Sequence, residues 1–314
     1  MLLSRIPTLL DPLELDDLTR AALADLSLAA DRDYYDAAQD ELARQAYYGP
    51  LLLPAPAGAA ITFDSLSQLV RETHTTCLTY RPARHVYPWV DLHPDGYIHS
   101  IYSGLPYDAA DFILADAQTD RERADWLTDL LPDFDQADEQ LLADALDSLE
   151  DALPYNCEHV VPQSWFAKQE PMRGDLHHLF ACESRCNSFR GNRAYFDFPD
   201  FPAGLLDAEQ DDCGKLAGNQ FEPGSGKGAV ARAVLYFLMR YPGEINANQA
   251  EFEAERLPIL LDWHQSFPPD EYERHRNMAI FALQGNRNPF IDFPNWAAQI
   301  DFCLGLGDEP DEQQ

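Results

Sequence analysis

Apolar residues return at helical spacing over residues 16–48, where Leu18, Ala22, Leu26 and Ala29 share one stripe and acids fill the positions between. Residues 65–76 repeat that pattern and predict a further helix. Residues 107–153 predict a helical stretch with Leu141, Ala145, Leu149 and Leu153 on its stripe, a charged solvated face over an apolar underside. The segment 229–241 is apolar nearly all round and predicts a buried helix, and 269–283 predict an amphipathic one. Period-two patterns are fewer. Residues 80–103 alternate aromatic and polar side chains about the turn His93-Pro94-Asp95-Gly96, which predicts a hairpin with its aromatics in the core. Two short β-prone runs follow at 157–161 and 175–180, the first ended by Pro162, which has no N–H to give a ladder. Residues 182–193 then read as a short helix. Proline-rich 50–58 is a connector, 285–292 is rich in turn residues, and 306–314 read as a disordered tail. The pattern is that of an α+β chain, with a helical extension at 1–58 packed on a main domain at 59–305.

Charge complicates the picture. The 314 residues carry 22 Lys and Arg against 54 Asp and Glu, a formal net charge of −32. Such a balance opposes binding of nucleic acid through a broad basic face. The acid is unevenly placed, however. Residues 108–151 hold 15 acidic and 2 basic side chains, whereas 156–193 hold 4 acidic and 5 basic. A neutral cleft could therefore lie beside an acidic surface, which also fits a salt-rich habitat or simple solubility. No apolar run approaches the roughly 20 residues of a membrane span. The N-terminal MLLSRIPTLLDPLELDD lacks the basic, apolar and small-residue parts of a secretory leader. On that ground the chain reads as cytoplasmic, unless it leaves by another route or its leader lies outside this sequence.

The neutral stretch is where chemistry-bearing groups collect. Glu158 and His159 are neighbours on the first β-prone run, and neighbours on a strand point to opposite faces. A histidine with an ordinary pKa near ~6.5 can take a proton from water at neutral pH. A hard cation such as magnesium needs only one or two protein oxygens besides water and phosphate. Glu158 offers a carboxylate and Asn187, on the short helix, an amide oxygen. These groups suit phosphodiester hydrolysis, with the glutamate side on the metal and the histidine side on an attacking water. Arg173 and Arg190 are candidate phosphate clamps, or else partners of Glu170, Asp175 or Glu183.

At this point the sequence resembles a known family. EHVVPQSWF, then DLHHL, then CNSFRGN, with Asn187 twelve residues after Asp175, resemble the endonuclease I family, the bacterial non-specific nucleases of the His-Me finger (ββα-metal) class. FEPGSGKGAVARAVLYFLMRYPG, NRNPFIDFP and, upstream, YRPARHVYPWVDLHPDGYIHSIYSG look like that family too, so the resemblance covers roughly residues 64–294. It implies a ββα-metal core embedded in a mainly helical domain with a small mixed sheet, 59–305 being the catalytic domain. It also implies His159 as general base and Glu158 and Asn187 as ligands of Mg2+, with Mn2+ or Ca2+ as substitutes. Cleavage of DNA, and often of RNA, with little sequence preference in an exported setting belongs to the same expectation; separately, the chain is expected to be a monomer. Two other classes stand beside it: a catalytically inactive nucleic-acid-binding or interaction module, and a hydrolase of smaller phosphodiesters.

The remaining signals leave choices open. Of His177 and His178, one is expected to face the cleft and the other to hold the loop, with structural roles favoured. Asn192 is expected to fix the helix end, and Lys227 and Arg287 are further candidate phosphate contacts. GSGKG at 224–228 fails as a Walker loop, because Phe221 and Gly228 stand where Gly and Ser/Thr are needed. Cys157, Cys182, Cys186 and Cys213 surround the active segment, and Cys182 and Cys186 lie on one helix face. They pair as disulfides in an oxidising compartment, hold a structural zinc in a reducing one, or stay as free thiols.

Overall fold

The computed structural model describes residues 12–52, 61–130, 139–153, 155–201, 210–245 and 254–306. Its helices follow the apolar stripes. The stretch 16–48 divides into α1 (Pro12–Ala29) and α2 (Ala37–Leu52). Helix α3 (Phe63–Thr73) starts at a capping box in which Thr62 and Ser65 satisfy each other's backbone N–H groups, and it buries Phe63, Leu66 and Val70. A four-residue helix α4 (Pro82–His85), β1 (Ile98–His99) and β2 (Pro106–Tyr107) come next. Helices α5 (Ala109–Leu130) and α6 (Glu139–Ala152) carry 11 of the 15 acidic residues of 108–151. On α5, Phe112, Ile113, Ala117 and Leu127 are buried, as the reading of a charged face over an apolar underside requires.

The expected hairpin at 80–103 is corrected. The turn at 93–96 closes with only one bridge, Leu92 to Ile98, and β1 pairs instead with β2 on its other side. Pro82 starts a helical turn where the first arm of the hairpin was expected. Two-residue alternation of aromatics cannot tell a strand from a turn-rich segment buried on several sides.

After α6 the chain forms β3 (Cys157–His159) and β4 (Leu179–Ala181), an antiparallel pair that aligns Glu158 with Phe180 and His159 with Leu179. The helix α7 (Ser184–Arg190) follows directly. Both strands are shorter than the sequence suggests. Asp175 caps a 3-10 turn at Leu176–His178, its side chain accepting from the His177 N–H, so the second run enters the ladder only at Leu179. The ribbon is buried on both faces. Cys157, Leu179 and Ala181 join Val86, Ile98 and Phe112 on one side, while Val160, Phe180 and Cys182 join Trp165, Val230 and Phe237 on the other.

Four strands, β5 (Ala194–Tyr195), β6 (Gln210–Asp211), β7 (Gly214–Ala217) and β8 (Gln220–Pro223), make a small mixed sheet in the order β5-β8-β7-β6. Helix α8 (Lys227–Arg240) runs through the centre of the larger core with every residue from Val230 to Met239 buried, as its all-round apolarity predicts. Helix α9 (Leu257–Ser266) packs against it. Helix α10 (Glu271–Gln284) is capped by Asp270 and ends at Gly285, whose φ of +89° suits glycine. A last short helix, α11 (Pro289–Asp292), lies in the segment expected as turns. The predicted tail, apart from Leu306, lies outside the described residues, as does most of the connector 50–58.

Candidate active site

The ribbon and α7 set the site. Asp116 of α5 accepts from the Asn156 backbone N–H (3.0 Å) and side-chain amide (3.1 Å), which anchors the start of β3. At the other side of β3, the Asn187 amide nitrogen donates to the Cys157 carbonyl at 3.0 Å. A carbonyl oxygen only accepts, so this bond fixes the amide's orientation and leaves Oδ1 as its other end. Helix α7 stops at Gly191, φ +55°, whose N–H closes on the Asn187 carbonyl at 2.9 Å. Glycine therefore ends the helix, and Asn192, expected in that role, is exposed.

Glu158, His159, Asn187, Arg173 and Arg190 all line one cleft of about 120 Å³, together with Tyr80, Arg123 and Glu150. The cleft lies at the end of β3 and takes in residues from both faces of the strand. Among the described residues, Glu158 Oε1 accepts from the Tyr102 hydroxyl at 2.7 Å and from Arg190 Nη1 at 2.5 Å, and no bond falls on Oε2. Burial raises the Glu158 carboxyl above its ordinary range while Arg190 opposes that rise.

His159 is held by the turn it faces. Its Nε2 lies 3.0 Å from the Arg173 carbonyl oxygen. Because that oxygen can only accept, Nε2 carries the proton in the neutral ring and Nδ1 carries the lone pair. Burial, with His178 next to it, pushes the His159 pKa well below the ordinary value, so the ring is neutral at physiological pH. The rings of Tyr80 and His178 lie 4.5 and 5.5 Å from it, centroid to centroid.

The cations take places the sequence does not announce. Arg190, 1% exposed, spends its guanidinium on Glu158 and on the carbonyls of His159 and Val160, so it braces the strand from behind. Arg173 pairs with Glu150 at 2.7 Å and with the Gln163 side chain at 3.1 Å, so its partner is none of the three acids expected. Arg287 is corrected from a candidate phosphate contact to a buried strut between Asp40 and Asp292, each 2.7 Å away. Lys227 is likewise committed to Asp197 and Glu222. His177 and His178 are both buried, with Nε2 atoms facing the carbonyls of Asn286 (3.4 Å) and Met172 (2.6 Å). Their structural roles hold, and neither lines the cleft.

Cys186 and Cys213 form a disulfide across 27 residues, tying α7 to the turn before β7. Two of the four sulfurs are thus bonded to each other, the disulfide being one of the three states the sequence leaves open. Cys157 and Cys182 remain buried thiols, pushed up by burial, and Cys182 does not pair with Cys186 despite the helical spacing. Sequence reasoning also missed Tyr102, Asp116 and Glu150. Tyr102 stands in the upstream motif already quoted, whereas Glu150 carries no signal that separates it from its acidic neighbours.

A match to the family described as Endonuclease I covers residues 67–295. The chain belongs to the endonuclease I family. An extracellular ribonuclease of Bacillus subtilis is 34% identical over 160 residues, covering 46% of this chain and 54% of that protein. An extracellular deoxyribonuclease of Aeromonas hydrophila is 34% identical over 127 residues, covering 38% of this chain and 50% of that protein. A periplasmic deoxyribonuclease of the same organism is 33% identical over 132 residues, with shares of 40% and 50%. The chain thus spans about half the length of these relatives. The family match starts inside α3, so α1 and α2 precede it. Among the described residues no helix is long and apolar enough to cross a membrane.

Proposed function

We propose that this chain is a divalent-metal-dependent endonuclease that hydrolyses phosphodiester bonds of DNA and RNA with little sequence preference, acting as a monomer. One observation carries the reading. A neutral histidine whose protonated nitrogen is tied to a backbone carbonyl shares a cleft with two oxygen donors, Glu158 and Asn187. That relatives bear the names ribonuclease and deoxyribonuclease supports both substrates. In this reading β3, β4 and α7 form the ββα-metal core.

The donor set fits a hard cation. Asn187 has its nitrogen occupied and its oxygen left over, Glu158 has Oε2 left over, and both are oxygen ligands of the kind magnesium takes. Bound there, Mg2+, or Mn2+ or Ca2+ in its place, supplies Lewis-acid stabilisation of the charge that develops on the phosphate. His159 Nδ1 accepts a proton from a water as the water oxygen forms its bond to phosphorus. The bond from phosphorus to the leaving oxygen breaks on the opposite side, that oxygen takes a proton from solvent water, and the histidine later returns its own proton to solvent. Tyr102 and Arg190 hold the Glu158 carboxylate in place, and the Arg173 carbonyl holds the ring of His159. Arg173, at the cleft wall, is the phosphate contact in this reading.

Calorimetric titration with magnesium tests the division of labour. Asn187→Ala and Glu158→Gln are expected to weaken magnesium binding about tenfold or more, and His159→Ala is expected to keep wild-type affinity. Loss of magnesium binding in a folded His159→Ala variant would sink the assignment of base and ligands.

A further inference from the structure

Glu150 belongs to the acidic helix α6 and yet lines the cleft beside His159 and Asn187. Its two carboxylate oxygens are divided between two cations. Oε1 accepts from Arg173 Nη2 at 2.7 Å, and Oε2 lies 3.3 Å from Lys168 Nζ. Two oxygens on one centre, each meeting a separate cation, is also the arrangement a phosphodiester offers through its non-bridging oxygens. Arg173 is meanwhile fixed by the Gln163 side chain and holds His159 through its carbonyl, so this cation stands next to the catalytic ring. The contact is partly buried but reaches the cleft: the side chains of Glu150, Arg173 and Lys168 are 23%, 10% and 20% exposed. These cations are too buried to be left without an anion at little cost, so a group that displaces Glu150 must itself meet both of them.

We propose that Glu150 is a gate that mimics phosphate: it occupies Arg173 and Lys168 until a polyanion displaces it, and so sets how strongly this cleft binds nucleic acid. The inference rests on the reading of the cleft as a phosphodiester site. It gives the acidic region a task inside the site as well as on the surface. α6 brings one carboxylate to Arg173 and Lys168, and the neighbouring Leu149 is buried and seats the helix. Substrate must compete with that carboxylate, so affinity is low and depends on a high local density of phosphate.

The test is equilibrium binding of a fluorescein-labelled DNA duplex, followed by anisotropy over a range of KCl concentrations in EDTA so that the duplex stays whole. Glu150→Gln is expected to bind about tenfold more tightly than wild type at low salt. The slope of log K against log salt should steepen by about one to two, the amount expected for one or two further phosphate contacts. The double variant Glu150→Gln/Arg173→Gln is expected to lose most of that gain. Affinity in a folded Glu150→Gln variant equal to or below that of wild type would overturn the proposal, as would a gain that survives removal of Arg173. Plasmid nicking is measured alongside. A binding gain with no nicking by any form leaves the gate standing and overturns the nuclease reading, whereas nicking with no binding gain does the reverse.

Discussion

Replacing His159 by alanine is expected to lower the turnover of phosphodiester cleavage by ~10²–10⁴-fold, the range a positioned general base supplies. The expectation follows from one bond. The Arg173 carbonyl accepts from Nε2, so the lone pair of the neutral ring sits on Nδ1, and burial keeps the ring neutral at physiological pH. Alanine removes that lone pair and leaves Glu158 and Asn187 in place. The cost to the fold is the lost bond at the Arg173 carbonyl, about 1–3 kcal/mol for a buried group, which a core of this size can bear. Initial rates on a labelled oligonucleotide, read beside circular dichroism, check it. A loss below about tenfold would remove His159 from the chemistry.

The largest effect on stability is expected at Asp175. This carboxylate is 1% exposed and accepts four hydrogen bonds: from Tyr236 (2.7 Å), Tyr241 (2.9 Å), the Gln284 amide (3.0 Å) and the His177 N–H (3.0 Å). Burial alone raises its pKa, but His74, His177 and the Gln284 amide together hold it well below the ordinary carboxylate range. His177 is itself pushed down to about 4 and is neutral at pH 7, so near neutrality the hydrogen bonds hold the charge more than the histidines do. Asp175→Ala leaves those donors without an acceptor in the core and is expected to cost about 3–5 kcal/mol. The sign of the pH effect follows. A folded pKa depressed below the unfolded value of ~3.9 gives stability that is complete above ~3.9 and decays as pH falls from there through the folded value. Urea unfolding of wild type and variant should therefore show a constant gap from pH 5 to 7 that narrows in stronger acid. A gap that stays the same at pH 3 would show that the charge of Asp175 contributes nothing.

The part of the site that was legible in the sequence is local. Glu158 and His159 are adjacent, and Asn187 follows Asp175 at a fixed spacing across one ribbon and one short helix, so near neighbours in the chain carry the signal. The buried helix α8 was legible for a similar reason, since apolar residues on all sides leave only one environment for it. Basic residues were read less well because their partners lie far away in sequence. Arg287 meets Asp40, 247 positions upstream, and Arg190 meets Glu158, 32 upstream, and no periodicity marks either pairing. Glu150 has the same property. Along the chain it is one acid among many on a charged helix, and only the fold brings it onto Arg173. The hairpin at 80–103 failed because Pro82 and the helical turn it starts outweighed the alternation of aromatics.

The central claim is hydrolysis in this cleft by His159 with a divalent ion. Supercoiled plasmid at low salt, incubated with magnesium with or without EDTA, tests it most directly when wild type and His159→Ala are run together. The account predicts nicking by wild type that EDTA abolishes and that the folded His159→Ala variant lacks. Intact plasmid with magnesium, manganese and calcium alike, from a demonstrably folded wild-type protein, would contradict it.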